Sequence, residues 1–139
     1  MEGAEGLRDP SELEEWYERG LRFVGPVWAG TRYCGGMYET GSFTREGRIL
    51  LEIMAGLKMG LDITHMTEAS ALEAIDRYEG PAIIASHANC RVVLNESGGE
   101  RHLSDTAIRN LAARDGVMGV VPYNKFLSSD WTNSSPRDK

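Results

Sequence analysis

His65 and His87 are the residues whose type and spacing point most directly to chemistry. Each follows a short, mostly apolar run: Leu61-Asp62-Ile63-Thr64 before the first, Ala82-Ile83-Ile84-Ala85-Ser86 before the second. The interval of 22 residues between them fits one strand–helix–strand step. Adjacent parallel strands would then present both imidazoles at their carboxyl ends, where α/β sheets build their sites. Neighbouring strands stand about 4.8 Å apart, close enough for both rings to reach one ion. Neutral imidazole is the commonest metal ligand, and two imidazoles with one carboxylate make a typical catalytic zinc set. The competing reading is that each His closes a strand end by hydrogen bonding. Asp62 either orients a ligand ring or forms a salt bridge with Lys58 or Arg77. Arg101 lies in the loop after the His87 strand and has the forked guanidinium that can clamp a carboxylate. Its neighbour His102 reads as a solvated loop residue, and Cys90 as a buried structural thiol without a paired base. Gly30, Gly35 and Gly36 lack the Lys-Ser/Thr ending of a phosphate loop and the spacing of a dinucleotide fingerprint, so they read as a flexible loop.

The elements that must position these residues are legible from caps and periodicity. Asp9-Pro10-Ser11-Glu12 has the pattern of a helix start, with Leu13, Trp16 and Tyr17 at helical spacing and Gly20 as a stop. Leu21 to Trp28 is a short apolar stretch broken by Gly25-Pro26. Thr44 opens a helix with a buried stripe of Ile49, Leu50, Ile53, Met54 and Leu57 before Gly60. Leu61–His65 reads as a strand, and Thr67 caps a helix with Ala71, Leu72, Ala74, Ile75 and Tyr78 inward. Gly80-Pro81 ends it, and Ala82–Ser86 is the next strand. Ser104-Asp105 caps a helix with Ile108, Leu111 and Ala112 inward, ended by Gly116. Val117–Val121 is the last strand. Apolar strands alternating with helices imply a parallel sheet covered by helices. Both an open doubly wound sheet and a piece of a (β/α)8 barrel fit; a whole barrel needs about 250 residues, so 139 residues hold about half of one.

Composition excludes several classes of function. Apolar residues are 41% and charged residues 26%, which is ordinary globular usage. A net charge of −6 without a Lys/Arg cluster is a poor match to a phosphate backbone, so no nucleic-acid partner is expected. Two cysteines, Cys34 and Cys90, are too few for a disulfide scaffold. No apolar run reaches the roughly 20 residues of a membrane helix, and Met1-Glu2-Gly3-Ala4-Glu5 lacks the basic and apolar regions of a signal peptide. A cytoplasmic location is therefore expected.

Several segments, taken in order, resemble one family. Gly60-Leu-Asp-Ile-Thr-His65, Gly80-Pro-Ala-Ile-Ile-Ala-Ser-His-Ala-Asn89, Arg101-His-Leu-Ser-Asp105 and Gly116-Val-Met-Gly-Val-Val121 are similar to segments of the membrane (renal) dipeptidase family of zinc peptidases. Glu2-Gly3 is similar to that family's Glu-Gly segment. The likeness covers residues 1 to 127 and implies a two-zinc (β/α)8 hydrolase that cleaves dipeptides, or a related small amide, with metal-activated water. It implies that Glu2 is the carboxylate bridging both metals, that His65 and His87 bind the second zinc, and that Arg101 holds the substrate carboxylate or the tetrahedral intermediate. The family's first-strand His-x-Asp pair and last-strand aspartate have no counterpart here. At most one zinc site is then largely retained, and no catalytic acid is assigned. Trp28 stands where the family commonly places a substrate-contacting His, which makes it a substrate-binding candidate.

These readings combine into one expectation. Residues 1–127 form a partial (β/α)8 domain, roughly strands 3–7 of a barrel, and 128–139 form a disordered polar tail. The chain is a dipeptidase-like zinc hydrolase lacking part of its active site, and its open sheet edges favour a homodimer or aggregation. The alternative is a self-standing α/β module that binds a partner or small ligand without hydrolysis.

Overall fold

Thr44, Thr67 and Ser104 begin helices for one physical reason. The first turn of a helix leaves backbone N–H groups without partners, and a hydroxyl at the cap accepts from one of them. In the computed structural model, which describes residues 1–30, 32–94 and 99–132, Thr44 Oγ1 accepts from Gly47 N at 3.0 Å. Thr67 Oγ1 accepts from Ser70 N at 3.2 Å and Ser104 Oγ from Ala107 N at 3.1 Å. They open α2 (Arg45–Gly56), α3 (Glu68–Arg77) and α4 (Asp105–Ala113). Asp9 caps a single 3-10 turn, Pro10–Glu12, that leads into α1 (Leu13–Glu18). A short α5 (Asn124–Leu127) follows the last strand.

Between the helices run β1 (Phe23–Val24), β2 (Gly60–Asp62), β3 (Ala82–Ala85) and β4 (Val117–Met118), every neighbouring pair parallel and in the spatial order β1-β2-β3-β4. An order that never reverses is the arc of a barrel, because a doubly wound sheet changes direction at a switch point. Glu2 bridges Gly25 in parallel, so the first residues extend the arc on the β1 side. The core between sheet and helices includes Val24, Leu50, Met54, Leu61, Ile63, Ala74 and Leu111. Among the described residues, no helix is long and apolar enough to cross a membrane.

Several expectations are corrected in detail. The strands are shorter than the apolar runs: β2 stops at Asp62 because the Asp62 carboxylate takes Thr64 N–H at 3.0 Å and turns the chain. β4 stops at Met118 rather than Val121, and Val120 is 64% exposed. The α2 stripe is rotated: Gly47, Leu50, Leu51 and Met54 face the core, while Ile49 is 41% exposed. Trp16 is exposed, and so is Ala112 beyond the short α4 stripe of Ala107 and Leu111. The glycine loop is packed, with Gly35 and Gly36 buried; a Cβ on Gly35 would sit 2.4 Å from Gly41 O and one on Gly36 2.5 Å from Val27 Cγ2. Cys34 is fully buried, which pushes its thiol up to about 12, and Cys90 is half-buried. Residues 128–132 are mostly exposed, and 133–139 lie outside the described residues.

The rotation of α2 has a cause that can be tested. A Cβ on Gly47 would lie 1.9 Å from the Tyr33 carbonyl oxygen, so only glycine lets the helix lie against the loop that ends at Thr44. Gly→Ala inside a helix ordinarily gains up to about 1 kcal/mol. Here overpacking against backbone reverses the sign, and Gly47→Ala is expected to cost about 2–3 kcal/mol. Gly56→Ala, at the open end of the same helix with nothing within 4 Å of the added methyl, is expected to be neutral or stabilising. Urea midpoints of the two variants check the contrast, and equal midpoints would refute it.

Candidate metal centre

Each residue of the site is delivered by the end of a sheet element. Ile63 N continues the ladder to Ile84 O at 2.8 Å, and Met66 N then closes a turn onto Ile63 O at 3.2 Å. His65 sits inside that turn with φ 70°, a left-handed conformation that glycine usually fills. Holding a histidine there costs about 1 kcal/mol or more, and the turn swings its ring over the carboxyl end of the sheet instead of along the strand. His87 stands two residues beyond the end of β3, its N–H donating to Thr64 Oγ1 at 3.3 Å. Ala88 N donates to Gly119 O at 2.9 Å and Gly119 N to Ala85 O at 2.8 Å. That tight crossing needs glycine, because a Cβ on Gly119 would lie 2.1 Å from Ser86 O. Glu2 arrives from the extending segment beside Gly25.

The side chains meet at one point. Glu2 Oε1 lies 2.8 Å from His65 Nε2 and 3.0 Å from His87 Nε2, and the two Nε2 atoms are 3.0 Å apart. Among the described residues they form a cluster of possible metal donors, with His65 buried, His87 half-buried and Glu2 exposed. Ligand bonds of 2.0–2.1 Å in a tetrahedral zinc site place donor atoms roughly 3.3 Å apart, so this triangle opens by only a few tenths of an ångström around an ion. Burial, then the positive charge of Arg101, pushes the His65 imidazole below its ordinary value against the pull of Glu2. The donor set, two imidazoles and a carboxylate oxygen, fits a divalent cation.

The surroundings sort the other candidates. Of the two readings of Asp62, orienting group or salt-bridge partner of Lys58 or Arg77, its hydrogen bonds favour the first. Its Oδ1 accepts from Thr64 N and Ser86 N, both at 3.0 Å, and its Oδ2 from the Ser86 hydroxyl. Burial alone would raise Asp62, but the bonds from Ser86 and Thr64 outweigh it and hold the carboxyl below its usual range. Arg101 ends a 3-10 turn, Gly99–Arg101, and its Nη2 donates to His87 O at 2.7 Å. Its Nη1 is shielded from solvent and has no hydrogen-bond partner among the described residues. Trp28 is 45% exposed, with its ring centroid 5.6 Å from that of His65 and 6.1 Å from that of Tyr38. Tyr38 and Ser86 were not distinguished by sequence reading. The available signal was the pairing of Asp62-x-Thr64 on one strand end with Ser86-His87 on the next.

His102 overturns its expectation. It is fully buried, its ring set edge-on against Phe126 at 4.6 Å between centroids, and both ring nitrogens lack hydrogen-bond partners. Asn89 explains the burial: its side-chain amide donates to Val121 O and Phe126 O and its Oδ1 accepts from Val121 N, clasping α5 over the loop. Burial, then Arg101 and Arg91, pushes the His102 imidazole below its ordinary value. The folded state therefore disfavours the proton that the unfolded chain takes up near pH 6.5, and stability present above that pH is lost as the pH falls toward the folded value. In the metal-free protein, His102→Leu is expected to flatten the decline of the urea midpoint between pH 7.5 and 5. An unchanged slope would contradict this.

Comparison with known proteins places the chain. Residues 1–137 match the profile described as Membrane dipeptidase (Peptidase family M19). The chain is 33% identical over 140 residues to an uncharacterised protein in the PQQ-III 3' region of Acinetobacter calcoaceticus, covering 94% of this chain and 43% of that protein. The probable dipeptidase PvdM of Pseudomonas aeruginosa superposes with a TM-score of 0.82 at 23% identity, over 92% of this chain and 34% of that one; this likeness speaks to fold. A metallopeptidase of Rhodobacter sphaeroides, solved with a phosphinate mimic of the dipeptide L-Ala-D-Ala, superposes with a TM-score of 0.77 at 27% identity, over 94% of this chain and 39% of that one. In each case the chain spans less than half the length of the protein it matches. The chain belongs to the membrane dipeptidase family, and its sheet is an arc of a (β/α)8 barrel of the metal-hydrolase type.

Proposed function

We propose that these residues carry the substrate-carboxylate and second-metal side of a zinc-dependent site that hydrolyses dipeptides or closely related small amides. The observation that carries this reading is the convergence of Glu2, His65 and His87 on one point at the carboxyl ends of parallel strands. When bound, a divalent cation supplies Lewis-acid polarisation of a carbonyl and a nucleophilic water at neutral pH. The roles of the chain follow from its side chains. Glu2, His65 and His87 hold the ion. Arg101, anchored through Nη2 to the His87 carbonyl with Nη1 unpaired, binds the free carboxylate of the substrate. Trp28 and Tyr38, edge to face beside His65, form an apolar wall against a substrate side chain.

Calorimetry tests the substrate class without requiring turnover. Zinc-loaded chain is expected to bind Gly-Phe and to lose most of that affinity toward the C-terminally amidated Gly-Phe. A buried guanidinium left without its carboxylate costs 2–5 kcal/mol, which is a loss of roughly 30-fold or more. Arg101→Ala is expected to bind both compounds equally weakly. Equal affinity of the unaltered chain for acid and amide would refute the assignment of Arg101.

A further inference from the structure

We infer that Asp62 and Ser86 form a relay that holds the His87 imidazole as its Nδ1–H tautomer and presents Nε2 as a bare lone pair. The inference rests on the reading of His87 as a metal ligand, and it adds positioning residues that lie outside the ligand triangle.

An ionised carboxylate only accepts hydrogen bonds, and a serine hydroxyl has one hydrogen to give. Asp62 Oδ2 faces Ser86 Oγ in a short contact, so that single hydrogen goes to Asp62. Ser86 Oγ also lies 2.7 Å from His87 Nδ1. With its hydrogen spent, the hydroxyl can only accept there, so Nδ1 carries a proton, and in the neutral tautomer Nε2 is the atom left with the lone pair. Thr64 supports the assignment: its Oγ1 takes the His87 backbone N–H, and its own hydrogen is free for Ser86 Oγ at 3.4 Å.

His65 supplies the contrast. Its Nδ1 is buried without a partner, so no group behind the ring fixes its tautomer. The two ligand imidazoles therefore differ, one preset by a carboxylate relay and one not. Fixing ring orientation and proton position in this way raises ligand basicity, and loss of such a partner costs 10–100-fold in metal affinity.

The test uses the full 139-residue chain with ¹⁵N-labelled histidine. Long-range ¹H–¹⁵N spectra of the metal-free protein are expected to show His87 protonated at Nδ1. In Ser86→Ala the His87 pattern is expected to shift toward the Nε2–H form, with zinc affinity reduced 10–100-fold in competition with a chelator. Ser86→Thr, which keeps a hydroxyl, is expected to restore both readouts, and circular dichroism establishes that each variant is folded. His87 found as Nε2–H in the unaltered chain would overturn the relay. So would a Ser86→Ala variant with unchanged tautomer and unchanged affinity. A His87 fixed as Nδ1–H through Ser86 in a chain that takes up no zinc would support the relay and overturn the ligand assignment.

Discussion

His87→Ala is expected to abolish stoichiometric zinc binding, while His102→Leu is expected to leave it intact. The two histidines are alike in composition and opposite in placement. His87 Nε2 stands 3.0 Å from both His65 Nε2 and Glu2 Oε1, so its removal leaves two donors, too few for a site that zinc ordinarily fills with three protein ligands and water. His102 is sealed under Phe126, and among the described residues its ring nitrogens have no hydrogen-bond partner and it is not part of the donor cluster. His65→Gly should match His87→Ala and also relieve the strained φ of 70°. That variant is therefore expected to lose the ion without losing folded stability, which separates ligation from structure. Zinc titration with a chromophoric chelator checks the series, and equal loss in the His87 and His102 variants would refute the assignment.

The second large effect concerns turnover. Loaded with zinc, the 139-residue chain is expected to release amino acids from Gly-Phe roughly 10³-fold or more slowly than the Rhodobacter sphaeroides metallopeptidase assayed beside it. Catalytic residues that act as a unit lose most of their effect when one is missing. Among the described residues the converging donors are Glu2, His65 and His87, enough for one ion. The sequence offers no counterpart of the His-x-Asp pair or the last-strand acid implied by the family resemblance. Robust release of amino acids from Gly-Phe by purified, zinc-loaded chain would contradict this and would show that one ion with Arg101 suffices.

What was legible in the sequence was what local chemistry decides. Thr44, Thr67 and Ser104 cap helices through contacts three residues long, and the interval from His65 to His87 follows from one crossover between paired strands. What depends on distant chain was not legible. His102 is buried because α5 folds over it, and α5 is clasped by Asn89, residues far apart in sequence. The α2 stripe is rotated because Gly47 must meet the Tyr33 carbonyl, which no periodicity of apolar residues reveals. Asp62 was visible as a candidate orienting group, but its route to His87 runs through Ser86 on the neighbouring strand. Glu2 became a ligand candidate through family resemblance; geometry then brought it within 2.8 Å of His65.

The most direct test of the account is the zinc K-edge X-ray absorption spectrum of the chain loaded with one equivalent of zinc. The account predicts nitrogen and oxygen scatterers at about 2.0–2.1 Å with the outer-shell pattern of two imidazoles, reduced to one imidazole in His87→Ala if any residual ion is held. A sulfur shell at about 2.3 Å, which would place the ion on Cys34 or Cys90, or a spectrum without imidazole scattering would contradict it.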